Sequence, residues 1–501
     1  VIRGGAGIYY GLNVATNFQF VGTSFGNTDP ISFTNNNFQT QLATLGNPFP
    51  NGFAFPQGAA AGPTALYGLP NNNSLDTSPA RNAEIYQWNL GVQHLFPGAI
   101  VIGVDYSASR STHLPYSSFS GTANRNFLPS ATRQQLVSQF NTAFNNCLAT
   151  NPGDPGQVCE MTVPTPTQAL ANTVANPFLP LFVSNPAAVC QGANPLPGQF
   201  NVAGSIYNNC MIPLINLLRP FPQFDGPFSG LTLLGASASY NSLQVRFQKR
   251  ANHYVSFEGN FTYSKAIDDS SAGANSFITQ SLSSGIPQVY DNLKTEKSIS
   301  ANDAPRRLVL AAIVDPPVGR NRWIGRNMNR VLDGFVGGWS ISTILAYQDG
   351  TPISIVQAAN LLADGNQRPN VICPQLSSGF SYHGAASNGQ NLASGALVDP
   401  TTASVFNASC FGNPADEVPG NAPRYFSNLR SDGIHNVDLS FSKEFAIRES
   451  MKLQIRGEFF NFTNTPRFGA PNTSFGSQQF GQVLSTLGSP RRTQIGVRFE
   501  F

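Results

Sequence analysis

The chain has 501 residues, 41% of them hydrophobic but only 11% charged, with 46 glycines, 37 prolines and a formal net charge of +3. Soluble domains carry about a quarter Asp, Glu, Lys and Arg, so something other than charge must keep this chain from aggregating. The small net charge and the lack of a basic cluster argue against a nucleic-acid partner and against a polybasic membrane anchor.

No apolar run approaches the ~18 residues of a membrane-crossing helix. One of the longest, LVLAAIV from Leu308 to Val314, is far too short. The sequence opens on Val1, and VIRGGAGIYYG has neither the apolar stretch nor the cleavage site of a signal peptide. The chain is therefore expected to be the C-terminal piece of something longer.

In chain order, Ile2 to Tyr10 fits a strand. Gly5 and Gly7 within it are read as easing close backbone packing, because the helix of a nucleotide-binding loop does not follow. Next, Tyr86, Trp88, Leu90 and Val92 alternate with Gln87, Asn89, Gly91 and Gln93. After a Phe96-Pro97-Gly98 turn, Ile100, Ile102, Val104 and Tyr106 alternate with Val101, Gly103, Asp105 and Ser107. Two strands of about ten residues each suit a tilted bilayer crossing. The unit returns with Leu243, Val245 and Phe247, a turn at Ala251 to His253, then Val255, Phe257, Phe261 and Tyr263. Single strands fit at Pro305 to Val314 and Gly338 to Gln348. A last hairpin runs from Val437, Leu439 and Phe441 through a turn near Glu449 to Met451, Leu453, Ile455 and Phe459. The final segment alternates to the carboxylate, with Thr493, Ile495, Val497, Phe499 and Phe501 on one side and Gln494, Gly496, Arg498 and Glu500 on the other.

The connections at 95–98, 250–253 and 448–450 are tight and the one at 315–336 is modest. Those at roughly 11–83, 111–237, 266–304, 349–433 and 462–491 are long. Short turns on one rim and long loops on the other are the asymmetry of outer-membrane barrels. The reading is an all-β fold: a transmembrane antiparallel β-barrel wall of about ten strands with long extracellular loops, spanning 1–501. A soluble all-β protein also alternates, but its strands average about five or six residues.

No GxSxG, P-loop or HExxH occurs, no catalytic, cofactor or metal constellation is found, and the protein is read as a non-enzyme. His94, His113, His253, His383 and His435 are all the histidines; no two share a strand or helix at metal-ligand spacing, so each reads as a surface or rim residue. Asp268 and Asp269 lack calcium-loop spacing and read as a solvated loop start. Cys147, Cys159, Cys190 and Cys210 fall in one long loop, Cys373 and Cys410 in another, and none in a strand. That distribution suggests disulfides in an oxidising compartment: Cys373 with Cys410, and two pairs among the other four whose connectivity stays open.

Taken in order, WNLGVQHLFPGAIVIGVDYSASRSTHL, LLRPFPQF, SLQVRFQKR to YSKAIDDSS, GGWSISTILAYQDGTPISI, NVDLSFSKEF and EFFNFTNTPRFGAPN resemble the C-terminal barrel of Oar-like TonB-dependent receptors. The resemblance implies a cell outer-membrane barrel of about 22 strands with a plugged lumen, of which this chain would hold about ten. It also implies a carboxypeptidase-regulatory-like domain, a plug and a TonB-contacting segment, all outside these residues. Partners would be outer-membrane lipid, TonB through that missing part, an unidentified ligand, and the barrel-assembly machinery. The terminal aromatic strand, with Val497, Phe499 and Phe501, resembles the signal that machinery reads. An adhesin or passive pore is the alternative, and a soluble secreted β-protein a more distant third.

Overall fold

The computed structural model describes residues 1–11, 46, 82–115, 123–124, 126–153, 157–182, 186–190, 209–223, 229–230, 234–250, 254–269, 287–320, 322–379, 381–383, 404–448 and 451–501. These residues fall into two units, one drawn from 1–12, 81–118 and 234–501 and the other from 13–80 and 119–233.

The first unit is built on one antiparallel sheet. Its strands are β1 (Ile2–Tyr10), β2 (Glu84–Phe96), β3 (Ile100–Pro115), β4 (Leu234–Lys249), β5 (Val255–Asp268), β6 (Arg306–Val314), β7 (Trp339–Gln348), β8 (Ile434–Arg448), β9 (Met451–Phe460) and β10 (Arg492–Glu500). They pair in chain order from β1 to β10, and a short strand, Ser298–Ile299, joins β5 as the eleventh member. The sheet is open, with β1 and β10 as its two ends. Strands β3 and β4 reach 16 residues each, longer than the ten the alternation predicts, because pairing continues past the apolar segment into the loop rim.

Register carries the alternation through the whole sheet. Ile2 faces Val92, Val92 faces Val104, Val104 faces Val245 and Val245 faces Phe261. Phe261 faces Leu308, Leu308 faces Tyr347, Leu345 faces Val437, Leu453 faces Phe445 and Val497 faces Ile455. Directly opposed residues share a face, so these pairs place every apolar row identified in the sequence on one surface. Leu90, Val104, Leu243, Ile455 and Val497 on that surface are 40 to 68% exposed. A contiguous apolar face of this extent cannot remain in water without association.

The opposite face is polar and pairs its charges: Arg246 with Glu258, Lys452 with Glu444, Arg456 with Glu458 and Arg498 with Glu500. These pairs are half exposed and contribute little stability each, at most about 1 kcal/mol. Their role is to make one wall hospitable to water.

Aromatic rings border the apolar face at both ends. Tyr86, Trp88, Tyr106, Tyr263 and Tyr347 lie toward the long loops, and Phe96, Trp339, Phe445 and Phe499 toward the turns. Tyr86 to Phe96 on β2 and Tyr347 to Trp339 on β7 span about 26–33 Å along the chain, or roughly 20–25 Å after a tilt of about 40°. The apolar band thus matches the height of an outer-membrane barrel wall.

The β2–β3 turn is as tight as expected, with Gly98 and Ala99 at φ 83° and 59°. The turns expected at Ala251 to His253 and near Glu449 lie outside the described residues. The modest connection between β6 and β7 contains a short helix, Arg330–Val336, whose start is capped by Asn329. Lys443, which shares the apolar face, is accommodated there: its ammonium donates to the Gly337 carbonyl and lies 5.3 and 5.0 Å from the ring centroids of Trp339 and Phe445.

The second unit contains helical structure that the loop-like composition did not reveal. Its longest helix among the described residues is Ser130–Thr150, followed by Gln157–Thr162 and Pro166–Ala171, the last with a Thr165–Gln168 capping box. Strand Thr173–Ala175 pairs with Met211–Pro213.

Candidate functional site on the long-loop rim

In the first unit the long connections build a folded platform beside the sheet. Ile353, Ile355, Leu376, Val405, Phe406, Phe411, Phe426, Leu429, Phe468, Phe480 and Val483 form its buried core. They come from the β7–β8 and β9–β10 connections. The Phe411, Phe475 and Phe480 rings meet edge to face or tilted at 5.2 to 5.9 Å, geometries aromatic quadrupoles favour.

The third connection, between β5 and β6, is tied in by charge. Arg368 Nη1 donates to Glu296 Oε2 at 2.7 Å and its Nη2 to Oε1 at 3.2 Å, with side chains only 6 and 3% exposed. Arg368 Nε donates to the Ala422 carbonyl, and the Gln288 N–H to Glu296 Oε1. The Gln288 side chain accepts from the Arg368 and Gly420 N–H groups and donates to the Gly420 carbonyl. Arg424 reaches Asp268 and the Glu296 carbonyl, while Arg430 holds Asp303 at 2.6 Å. Buried charges persist only when paired and hydrogen-bonded, and these meet both conditions.

This network corrects one sequence expectation. Asp268 and Asp269 are not a solvated loop start: Asp268 pairs with Arg424, and Asp269 accepts from the Ser237 N–H at 2.6 Å and hydroxyl at 2.8 Å. They anchor the rim, because Arg424 arrives from a connection 156 residues away. Spacing along the sequence gives no sign of it.

The histidines show an arrangement that sequence spacing does not reveal. His94 and His113 lie on β2 and β3, and His253 lies outside the described residues. His383 and His435, remote in sequence, converge with Asp432. His383 Nε2 and Asp432 Oδ2 are 2.9 Å apart, and the His383 and His435 ring centroids 5.1 Å. Asp432, buried, also accepts from the Phe468 N–H at 2.8 Å. His435 packs edge-on against Tyr347 at 4.9 Å, and His383 against Phe468 at 5.8 Å. Tyr382 is partly buried, and its hydroxyl is out of solvent with no hydrogen-bond partner among the described residues. Burial, reinforced by the charge of Asp432, pushes its phenol well above the ordinary tyrosine range.

Nearby, Asp349 Oδ2 accepts from Arg306 Nε at 2.8 Å, and its Oδ1 from Tyr347 at 3.0 Å. Burial opposes ionisation of Asp349, but these bonds outweigh it and hold the carboxyl below its ordinary value.

A groove of about 670 Å³ is lined by Ala6, Gly7, Ile8, Tyr86, Gln87, Trp88, Arg110 and Thr112. Six of these residues share the apolar face by register, at the β1 end of the sheet. It is a groove in the apolar wall rather than a pocket of the polar rim. Val497 and Phe499 lie on the same apolar face of β10, with the Phe499 and Phe501 rings stacked at 6.1 Å. The cysteines stand in pairs: Cys147 beside Cys159, Cys190 beside Cys210 and Cys373 beside Cys410, with Cα separations of 5.7, 5.4 and 4.8 Å.

The family model of the outer membrane beta barrel domain matches residues 1–494. No curated protein is recognisably similar in sequence. Among solved structures, the outer membrane transporter YddB from Escherichia coli aligns at 10% identity and a TM-score of 0.33, over 84% of this chain and 33% of its own. The ferripyoverdine receptor of the outer membrane of Pseudomonas aeruginosa, bound to ferripyoverdine, aligns at 7% identity and a TM-score of 0.30, over 84% of this chain and 27% of its own. The chain thus spans a third or less of the length of these proteins. Its two-faced antiparallel wall and a family match over nearly its full length lead to one conclusion: the chain belongs to the outer membrane beta barrel domain family and is a protein of the outer membrane.

Proposed function

We propose that this chain is the C-terminal part of the barrel of an Oar-like TonB-dependent receptor, which takes up a ligand too large or too scarce to diffuse through porins. The observation that carries the reading is the folded rim. Ordering a loop costs about 1–2 kcal/mol of backbone entropy per residue. A passive pore gains nothing from that cost, whereas a receptor gains a preorganised binding surface. Here two connections share an aromatic core, and buried ion pairs tie a third to it. The polar face, lined by Gln244, Arg246, Glu258, Gln454 and Arg456, supplies a lumen in which a plug or a hydrated ligand is at ease.

On this reading TonB engages a part of the protein outside this chain. Val497, Phe499 and Phe501 serve barrel assembly, and the three cysteine pairs close as disulfides after export. The full-length parent in a planar bilayer tests transport against its alternatives. A plugged receptor shows no steady conductance until mild denaturant loosens the plug, and it co-purifies with the periplasmic domain of TonB. Steady open conductance of the native parent would establish a passive pore, and a closed barrel that ignores TonB would establish an adhesin. For the assembly signal, deleting Phe501 should sharply reduce heat-resistant barrel in the membrane. Normal levels would remove that role.

A further inference from the structure

We infer that His383, Asp432 and His435 form a binding site for a divalent transition-metal ion of the zinc class. The site stands whether or not the barrel transports anything.

Two observations meet there. First, one ligand atom from each residue lies within 4.8 Å of the other two, and His383 Nε2 is already 2.9 Å from Asp432 Oδ2. Donors around a tetrahedral zinc ion, with bonds of about 2.0–2.1 Å, stand about 3.3 Å apart. Small side-chain rotations close the difference.

Second, the donors are held in orientation. The Phe468 N–H fixes the Asp432 carboxylate, Tyr347 packs against the His435 ring, and Phe468 packs against the His383 ring. Outer contacts of this kind are what make a ligand set selective and strong.

A plain His383–Asp432 hydrogen bond accounts for two members of the cluster. It does not explain why His435 is brought against them. Two imidazoles and one carboxylate favour zinc, copper, nickel or ferrous ions over calcium or magnesium, and they leave one coordination position open. In the bound state His383 is the neutral tautomer with its single ring proton on Nδ1 and its Nε2 lone pair on the ion; any proton shared between Nε2 and Asp432 Oδ2 beforehand leaves to solvent. Because His383, Asp432 with His435, and Phe468 come from different stretches of the rim, the ion would clamp the β7–β8 connection onto the mouth of β8.

The test uses the folded protein in detergent, stripped with a chelator, dialysed and titrated with Co²⁺ as the probe, then with Zn²⁺ in competition. The expected result is about one equivalent bound, with visible absorption of a low-coordinate cobalt site that zinc abolishes. His383→Gln and His435→Gln should each weaken binding more than about tenfold, while His113→Gln behaves as wild type. Heat-modifiable migration confirms that each variant is folded. Should a Gln variant misfold, His383→Ala and His435→Ala take its place. Cobalt affinity in wild type equal to that of the double variant His383→Gln/His435→Gln would overturn the site, as would an octahedral, zinc-insensitive spectrum.

Discussion

Replacing Arg368 by methionine keeps much of the side-chain volume and removes the charge, stranding Glu296 in a site where its side chain is 3% exposed. Breaking one partner of a buried pair costs about 3–5 kcal/mol, because the carboxylate keeps its desolvation penalty and loses its counter-charge. The two guanidinium bonds to Glu296, at 2.7 and 3.2 Å, and the 2.9 Å bond to the Ala422 carbonyl all disappear together. The perturbation belongs to the rim, so the sheet should survive. The sensitive assay is amide exchange in the refolded protein, read at Arg368, whose N–H donates to Gln288, and at Gly420. Protection there should fall by roughly 10²- to several 10³-fold, while β8 and β9 keep theirs. Pairing Arg368→Met with Glu296→Gln should recover part of the loss, giving a coupling energy of about 1–3 kcal/mol. Recovery stays incomplete because the Gln288 N–H and the Ala422 carbonyl also depend on these groups. A cost below about 1 kcal/mol, or equal loss of protection in the sheet, would refute the view that the rim is a distinct folded unit closed by a buried ion pair.

Ile455→Arg should cost about 2–4 kcal/mol of refolding stability in lipid if it lies near the midplane, while Arg456→Gln, on the face shared with Gln494 through Glu458, should be mild; the reverse order would invert the assigned faces. Asp349, whose carboxyl is held low, contributes rim stability that is present above the unfolded value of about 3.9 and is lost as pH falls through the folded one. Wild type and Asp349→Asn should therefore converge in rim amide exchange once the pH has fallen below the lowered folded value, with a difference at neutral pH of no more than about 1 kcal/mol because Arg306 is 57% exposed. Thiol labelling of unreduced, exported protein should find none of the six cysteines reactive, and six reactive thiols would end the disulfide proposal.

The wall was legible in the sequence and the rim was not, for one physical reason. A strand with lipid on one side and water on the other must alternate residue by residue, so its pattern is local and short-range reading suffices. The row Val437, Leu439, Phe441 is visible in isolation, and the register then only aligns it with Leu345, Thr343 and Ile341. Lys443 is the one charge in that row, and its accommodation depends on Gly337, 106 residues earlier. The rim has no period. Phe406, Phe411, Phe426, Phe468 and Phe480 are spaced irregularly, and Glu296 finds Arg368 across 72 residues. His383 finds Asp432 across 49. One signal was available: in a chain with 11% charge, Arg368, Arg424 and Arg430 sit in polar loops rich in Gly, Pro and Asn, where solvation alone would not require them.

On the proposed receptor reading, that contrast also says how the ligand can change. Lipid-facing positions are constrained one at a time by the bilayer, and any apolar residue of similar size satisfies them. Rim positions are constrained in sets: altering Arg368 without Glu296, or His383 without Asp432, strands a buried partner. A new specificity therefore has to arise on the exposed surface of the platform, or by exchanging a whole connection between fixed strand ends. Strands β7 and β8 illustrate this. Ten consecutive register pairs hold them together from Trp339 with Lys443 to Gln348 with Ile434, so an 85-residue connection can be replaced without moving the wall that carries it.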